Sequence, residues 1–181
     1  MSDLLSVMLD KLTLHELVLT YCRAVDRRDY ALLETLYHPD AIDDHGGMFC
    51  GSAAAYIAWL PTIQAHFETM RHDITNALFA VDGNDANGEL YTVAYHRTPP
   101  GPKAREIIIG GRYLDRYQKR DGVWRFLHRS LVFDWKETRP LPAVMDPDIS
   151  DGVAPGRPDE NDPSYERLPL FRRGRHLWPP R

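Results

Sequence analysis

The stretch Thr13–Asp29, TLHELVLTYCRAVDRRD, decides the reading of the chain because it puts a carboxylate on a helical face that is otherwise apolar. At about 100° per residue, Leu14, Leu17, Val18, Tyr21, Ala24 and Val25 share one arc, which Leu12, His15, Leu19, Cys22 and Asp26 widen. Only Thr13, Glu16, Thr20, Arg23 and Arg27 are left as a narrow polar strip. A helix apolar around most of its circumference is covered on both sides, so Asp26 and the Tyr21 hydroxyl are expected to face protein or a cavity. Burying a carboxylate costs on the order of several kcal/mol unless a partner holds it. That partner is either a nearby arginine, in an ordinary helix-end ion pair, or a group supplied from elsewhere in the chain.

Working outward, Thr13 and Glu16 have the spacing of a capping box, which places the helix start at Thr13. Asp29 is placed to cap a short second helix over Tyr30–Tyr37, stopped by Pro39. Gly46-Gly47 reads as a turn between two short strands. Gly51-Ser52 opens a third helix on which Tyr56, Trp59, Leu60, Ile63 and Phe67 form one core face, in spite of Pro61. From His72 the period changes to two, with Ile74, Leu78 and Ala80 alternating against Thr75, Phe79 and Val81. Strands follow over Glu89–Arg97, Ala104–Lys119 and Val123–Trp135, and Gly110-Gly111 marks a bulge or bend. Helices first and an antiparallel meander second make an α+β architecture, a curved sheet packed on N-terminal helices.

The 181 residues, 43% of them apolar, suit one domain with a real core over residues 1–139. Residues 140–181 are different, because nine of the fourteen prolines fall there. Such a segment builds no core of its own, yet Tyr165, Leu168, Leu170, Phe171, Leu177 and Trp178 are too apolar for a free tail. It is expected to pack on the domain or on a neighbouring subunit. A net charge of −4 and scattered arginines give no footprint for nucleic acid. No run has signal-peptide or transmembrane character, and Cys22 and Cys50 lack C-x-x-C spacing. The expectation is a soluble, cytoplasmic protein with reduced thiols.

Two further residues stand out. His72 opens a sheet strand, an ordinary place for a histidine. Arg129 alternates in register with Leu127, Leu131, Phe133 and Trp135. A guanidinium in such company needs an anion or a polar cavity, unless that face of the strand is the solvated one. No glycine-rich phosphate loop or G-x-S-x-G elbow occurs. Asp43, Asp44 and His45 are the only dense group of possible metal ligands, without H-x-H or H-x-x-x-H spacing, and no metal is assigned.

Five segments together resemble the NTF2-like cone fold, and within it the SnoaL-like group. They are Tyr21-x-x-x-x-Asp26-Arg27-Arg28-Asp29, Leu33-x-x-Leu36-Tyr37-x-x-Asp40-Ala41 and His72-x-x-x-Asn76, then Gly111-Arg112-Tyr113-Leu114-Asp115-Arg116-Tyr117 and Asp121-Gly122-x-Trp124-Arg125-x-x-x-Arg129. The resemblance runs from about Leu12 to Trp135 and leaves the tail unmatched. It includes scytalone dehydratase, hexachlorocyclohexane dehydrochlorinase and the bile-acid 7α-dehydratases, cofactor-independent lyases with an Asp–His dyad.

By resemblance the dyad falls on Asp26 and His72, the arginine of the latter two enzymes on Arg129, and the bile-acid enzymes' tyrosine on Tyr21. The implied chemistry is proton abstraction by His72 held by Asp26. Arg129 would bind an anion or enolate, and Tyr21 a leaving hydroxyl or the substrate. Leu19, Trp59, Asn76, Leu131, Phe133 and Trp135 would contact a hydrophobic cyclic substrate. No cofactor is implied, and a homo-oligomer is, a trimer first and a dimer second. Other activities share the fold, so an isomerase using the same proton abstraction, a binding protein, and a structural small subunit of a ring-hydroxylating dioxygenase stay open.

Overall fold

A computed structural model describes residues 2–141 and 152–176. The elements are α1 (Ser2–Asp26), α2 (Tyr30–Leu36), β1 (Tyr37–Asp44), β2 (Cys50–Ser52) and α3 (Ala53–Gln64), followed by β3 (Thr69–Asp82), β4 (Asp85–Arg97), β5 (Arg105–Arg120), β6 (Val123–Pro140) and a short α4 (Pro163–Arg167). Helix α1 starts at Ser2 and not at Thr13, whose hydroxyl donates back to the Leu9 carbonyl at 2.9 Å inside a continuous helix. Serine and threonine bond to the preceding turn in this way as readily as they cap. Asp29 does cap α2, accepting from the Leu32 amide at 3.2 Å, and Ser52 caps α3. Pro39 does not end α2, which gives way to β1 two residues earlier.

The strands form one six-stranded sheet in the order β2-β1-β6-β5-β4-β3. β3 to β6 are the expected antiparallel meander. β1 joins its edge parallel to β6 and pairs antiparallel with β2, so the sheet is mixed. Leu14, Leu17, Val18 and Tyr21 of α1 meet Leu33, Leu36, Tyr56 and Leu60 of the shorter helices and Leu90, Tyr113, Tyr117 and Phe126 of the sheet in one buried cluster.

A register break lies in β1 between Tyr37 and Ile42, and three more within the β3–β6 meander each reverse the alternation beyond them. Between Ile74 and Ala77 the pairing of β3 shifts, so Ala77, Phe79 and Val81 pack on the core and Leu78 turns outward at 72% exposure. In β6, Leu127 is the extra residue opposite Arg116-Tyr117, which carries Arg129 onto the inward face of Trp124 and Phe126. Asp134 is the extra residue opposite Gly110-Gly111. Gly111 is needed there because a methyl group would run into the Val132 carbonyl oxygen.

Arg129 is buried completely, and its Nε and Nη2 donate to the two carboxylate oxygens of Asp115 at 2.8 and 2.7 Å. Its guanidinium carbon lies 4.0 Å from the ring centres of Tyr21 and Tyr113 and 4.3 Å from that of Phe126. The Tyr117 hydroxyl gives Asp115 a further hydrogen bond at 2.6 Å. Two full charges are thus held in a box of aromatic rings, a bidentate pair with cation–π contacts on the guanidinium.

The described part of the C-terminal segment lies against α1. Asp162 pairs with Arg27 at 3.2 Å, and Arg23 sits beside the rings of Tyr165 and Phe171. The Gly174 amide donates to Asp29, and Arg173 to the carbonyls of Arg27 and Arg28. Leu168 and Leu170 remain exposed, while Leu177 and Trp178 fall outside the described residues. Cys22 and Cys50 are free thiols, and burial pushes the Cys22 thiol up to about 12. Among the described residues no helix is long and apolar enough to cross a membrane.

Replacing Arg129 with Met leaves Asp115 buried without its cation, and is expected to cost about 3–5 kcal/mol, read as a lowered urea midpoint. The double replacement Arg129→Met with Asp115→Leu should recover much of that loss. A single replacement costing under about 1 kcal/mol, the range of an exposed pair, would contradict a structural role for the pair.

Candidate active site

Asp26 is the last residue of α1, and the structure answers the question of its partner. Its Oδ1 lies 2.7 Å from His72 Nδ1, and its Oδ2 accepts from the His72 backbone amide at 3.1 Å. Both side chains are 11% exposed. The arginines around Asp26 are engaged elsewhere: Arg27 with Asp162, and Arg28 with the carbonyls of Gln64 and Phe67 at the end of α3. Arg28 turns the chain out of α1 in a left-handed conformation with φ of 50°. The carboxylate is left free to hold one imidazole by two bonds, one to the ring and one to the backbone beneath it. That arrangement fixes the orientation of the ring, and with a proton on Nδ1 it leaves Nε2 bare.

His72 lines a cavity of about 260 Å³ under the concave face of the sheet. Trp59, Leu60, Ile63 and Phe67 of α3 and its exit, with Ile107, Ile109 and Leu131 of the sheet, supply apolar walls. The polar lining is mostly basic or neutral: His45, His72, His96, Lys136, Tyr56, Tyr113, Gln64 and Thr92, with no carboxylate among the lining residues. Such a lining suits a compact apolar ligand that carries hydrogen-bond acceptors.

Of the expected contacts, Trp59 and Leu131 line this cavity with His72, and the others do not. Arg129 is consumed by Asp115 in the core and has no exposed surface. Tyr21 is equally buried; its hydroxyl meets that of Tyr56 at 2.9 Å, so Tyr56, which lines the cavity, presents the phenol instead. Leu19 faces a different groove, between the outer side of α1 and the tail residues Phe171, Arg172 and Arg175. Asn76 is exposed at the β3 break. Phe133 is 61% exposed and stands outside the lining. Trp135, beyond the Asp134 bulge, pairs with Gly110 on the outward side, and Lys136 takes the cavity side opposite Ile109.

His96 is the residue the sequence reading missed. The register pairs His72 with Ala94 and Met70 with His96, so Thr92, Ala94 and His96 form one inward stripe of β4 beside His72. The two imidazoles meet edge to face with centres 5.7 Å apart, and Phe67 covers the other ring at 4.8 Å. His96 Nδ1 is buried with no hydrogen-bond partner in the protein. Desolvation, and the proximity of His72, lower the His96 pKa to about 4, which keeps this ring neutral where a charge would oppose one on His72. Burial likewise pushes Tyr56 well above the usual phenol range, so its hydroxyl keeps its proton. The alternation of β4 was visible in the sequence; its register against β3 was not.

A family model described as a SnoaL-like domain matches residues 6–130. An uncharacterized Mycobacterium tuberculosis protein, Rv2910c, is 24% identical over 123 residues, covering 66% of this chain and 82% of that one. Among solved structures, a candidate scytalone dehydratase from Novosphingobium aromaticivorans aligns with a TM-score of 0.68 at 23% identity over 79% of this chain and 95% of its own. A type 2 hexachlorocyclohexane dehydrochlorinase, LinA, aligns with a TM-score of 0.71 at 18% identity over 80% of this chain and 99% of its own.

The depressed His96 pKa has a consequence for stability. The unfolded ring takes up a proton near its ordinary 6.5 and the folded ring only near about 4. The stabilisation is therefore complete above the unfolded value and is lost as pH falls toward the folded one, about 3 kcal/mol over that window. Thermal midpoints measured between those limits should fall with pH in the wild type and fall less in His96→Phe. Equal slopes in the two proteins would contradict the burial of a neutral His96.

Proposed function

The chain belongs to the SnoaL-like domain family, and from that premise we propose that it is a cofactor-independent lyase that eliminates water or a comparable leaving group from a hydrophobic cyclic molecule. The observation that carries this reading is the 2.7 Å contact between Asp26 and a His72 ring that lines an apolar cavity. Solved structures of similar fold include proteins named for dehydration and dehydrochlorination, and an elimination of either kind removes a proton and a leaving group from the substrate.

His72 Nε2 removes a proton from a ring carbon, and Asp26, accepting from Nδ1, stabilises the imidazolium that results. Asp26 is a positioning residue in this scheme. The Tyr56 hydroxyl, backed by Tyr21 at 2.9 Å, donates to a substrate oxygen that gains charge as the proton leaves. The neutral His96 adds no competing charge beside His72. The apolar walls exclude water and strengthen each of these contacts. Arg129 has no part in this scheme.

The test is a panel of cyclic ketones bearing a hydroxyl or halide β to the carbonyl, incubated in deuterated water and followed by proton NMR. The wild type is expected to exchange the α-hydrogen and release the unsaturated ketone. His72→Ala should lose about 10²–10⁴-fold in both while still binding the ketone, and Asp26→Asn should lose a large part of the same activity. A His72→Ala variant that exchanges and eliminates at the wild-type rate would refute the proposal, and tight binding without any exchange would make the protein a carrier.

A further inference from the structure

A second imidazole in the same cavity is built in the same way as His72. His45, at the end of β1, lies with Nδ1 2.6 Å from Asp43 Oδ1. Asp43 is completely buried, and its other oxygen accepts from the Tyr37 hydroxyl at 2.6 Å. The His45 ring stacks on Tyr56 with centres 5.0 Å apart and planes 15° from parallel. Its backbone amide is tied to the Phe49 carbonyl at 2.7 Å across the β1–β2 turn. Ring, backbone and carboxylate are therefore all held, although the sheet order puts three strands between β1 and β3. Only the bend of the sheet brings His45 and His72 to one cavity, and both line it.

We propose that Asp43–His45 is a second proton-transfer dyad and that His45 is the acid of the elimination that His72 begins. The proposal rests on the lyase reading above and assigns the step that reading leaves open, the departure of the leaving group. The Tyr37 hydroxyl occupies one oxygen of the buried Asp43 carboxylate and His45 Nδ1 the other, so the carboxylate fixes the ring of a histidine that lines the cavity and leaves Nε2 clear of the pairing.

In the reaction the C–H electron pair becomes the new C=C bond as His72 Nε2 takes the proton. The C–O bond breaks toward oxygen, and His45 Nε2 gives its proton to that oxygen, releasing water. The enzyme is left with His72 protonated and His45 neutral, and one proton exchanged between them through solvent restores the starting state. No oxidant or reductant enters. His45 touches the leaving group and is the catalytic residue of the pair, Asp43 its positioning residue. The sequence had shown Asp43, Asp44 and His45 only as possible metal ligands. Asp43 is instead saturated by Tyr37 and His45, while Asp44 turns its carboxylate to the Gly46 amide at 2.8 Å.

An acid is needed for hydroxide to depart and not for chloride, and this separates His45 from His72. The probes are 3-hydroxycyclohexanone and 3-chlorocyclohexanone, both giving the same enone, read by its ultraviolet absorbance above the uncatalysed rate. The variants are His45→Gln, which keeps a polar planar group against Tyr56, and His45→Phe, which keeps the ring stacking. In both, the ratio of hydroxyl to chloride turnover is expected to fall by at least about 100-fold, and in His72→Ala both activities are expected to fall together. A ratio unchanged in the His45 variants, with His72→Ala inactive, overturns the second dyad and leaves the first standing. A wild type inert toward both probes, or a His72→Ala variant as active as the wild type, overturns the elimination reading on which the second dyad rests.

Discussion

The last residue of the long helix, Asp26, is the constraint from which the rest of the site follows. Its carboxylate is nearly withdrawn from water, and a charge in that position must be satisfied. Neighbouring arginines would do so most simply, but each is drawn away: Arg23 and Arg27 to the C-terminal segment, Arg28 to the carbonyls at the end of α3. What remains is the start of β3, which offers Asp26 a backbone amide and an imidazole from one residue. The same two bonds tie the helix layer to the edge of the sheet and aim a ring into the space between them. Position in the fold and readiness for chemistry are therefore one requirement here.

A second buried charge does the opposite work. Arg129 and Asp115 pair through two hydrogen bonds inside a ring of aromatic side chains, and the guanidinium, whose Nη1 has no hydrogen-bond partner, is wholly buried there. The pair locks β5 to β6 at the centre of the sheet, behind the cavity wall. Tyr21 belongs to this aromatic box, and its hydroxyl reaches the cavity only through Tyr56. Mutating Arg129 and mutating His72 should therefore injure the protein in different ways, the first through folding and the second through reaction.

The helical part of the fold was legible because a period of 3.6 survives in the sequence whatever surrounds it. The inner arc of α1 (Leu14, Leu17, Val18, Tyr21, Ala24, Val25), the Asp29 cap, the α3 start at Ser52 and the packing of Tyr56, Trp59, Leu60 and Ile63 are present as read, whereas Leu12, His15 and Leu19, read as widening the arc, are exposed, and Thr20, read on the polar strip, is buried. The sheet was legible in its strands and not in its faces. Alternation predicts a face only while the register is unbroken, and one unpaired residue at Leu127, at Asp134 or between Ile74 and Ala77 inverts every position beyond it. That is why Trp135 and Asn76 were assigned to a cavity they do not line, and why Lys136 was not. His96 was hidden for a related reason, since its approach to His72 depends on which residues of β3 and β4 stand opposite one another. Asp26 and His72, 46 residues apart, were joined in the sequence only by resemblance to a family pattern.

The cavity that results has basic and neutral polar groups on its walls and its carboxylates one layer behind them, each holding an imidazole. Such an arrangement uses buried anions to orient proton carriers without exposing negative charge to a ligand, and it gives a small apolar site two places where a proton can be taken up or given. The most direct measurement of the central claim is the tautomer of His72, read from long-range proton–nitrogen correlations in the nitrogen-15-labelled protein. The account predicts that the neutral ring carries its proton on Nδ1, toward Asp26, with Nε2 bare. A neutral ring protonated on Nε2 would contradict it, because His72 would then have no free nitrogen with which to take a proton from a ligand in the cavity.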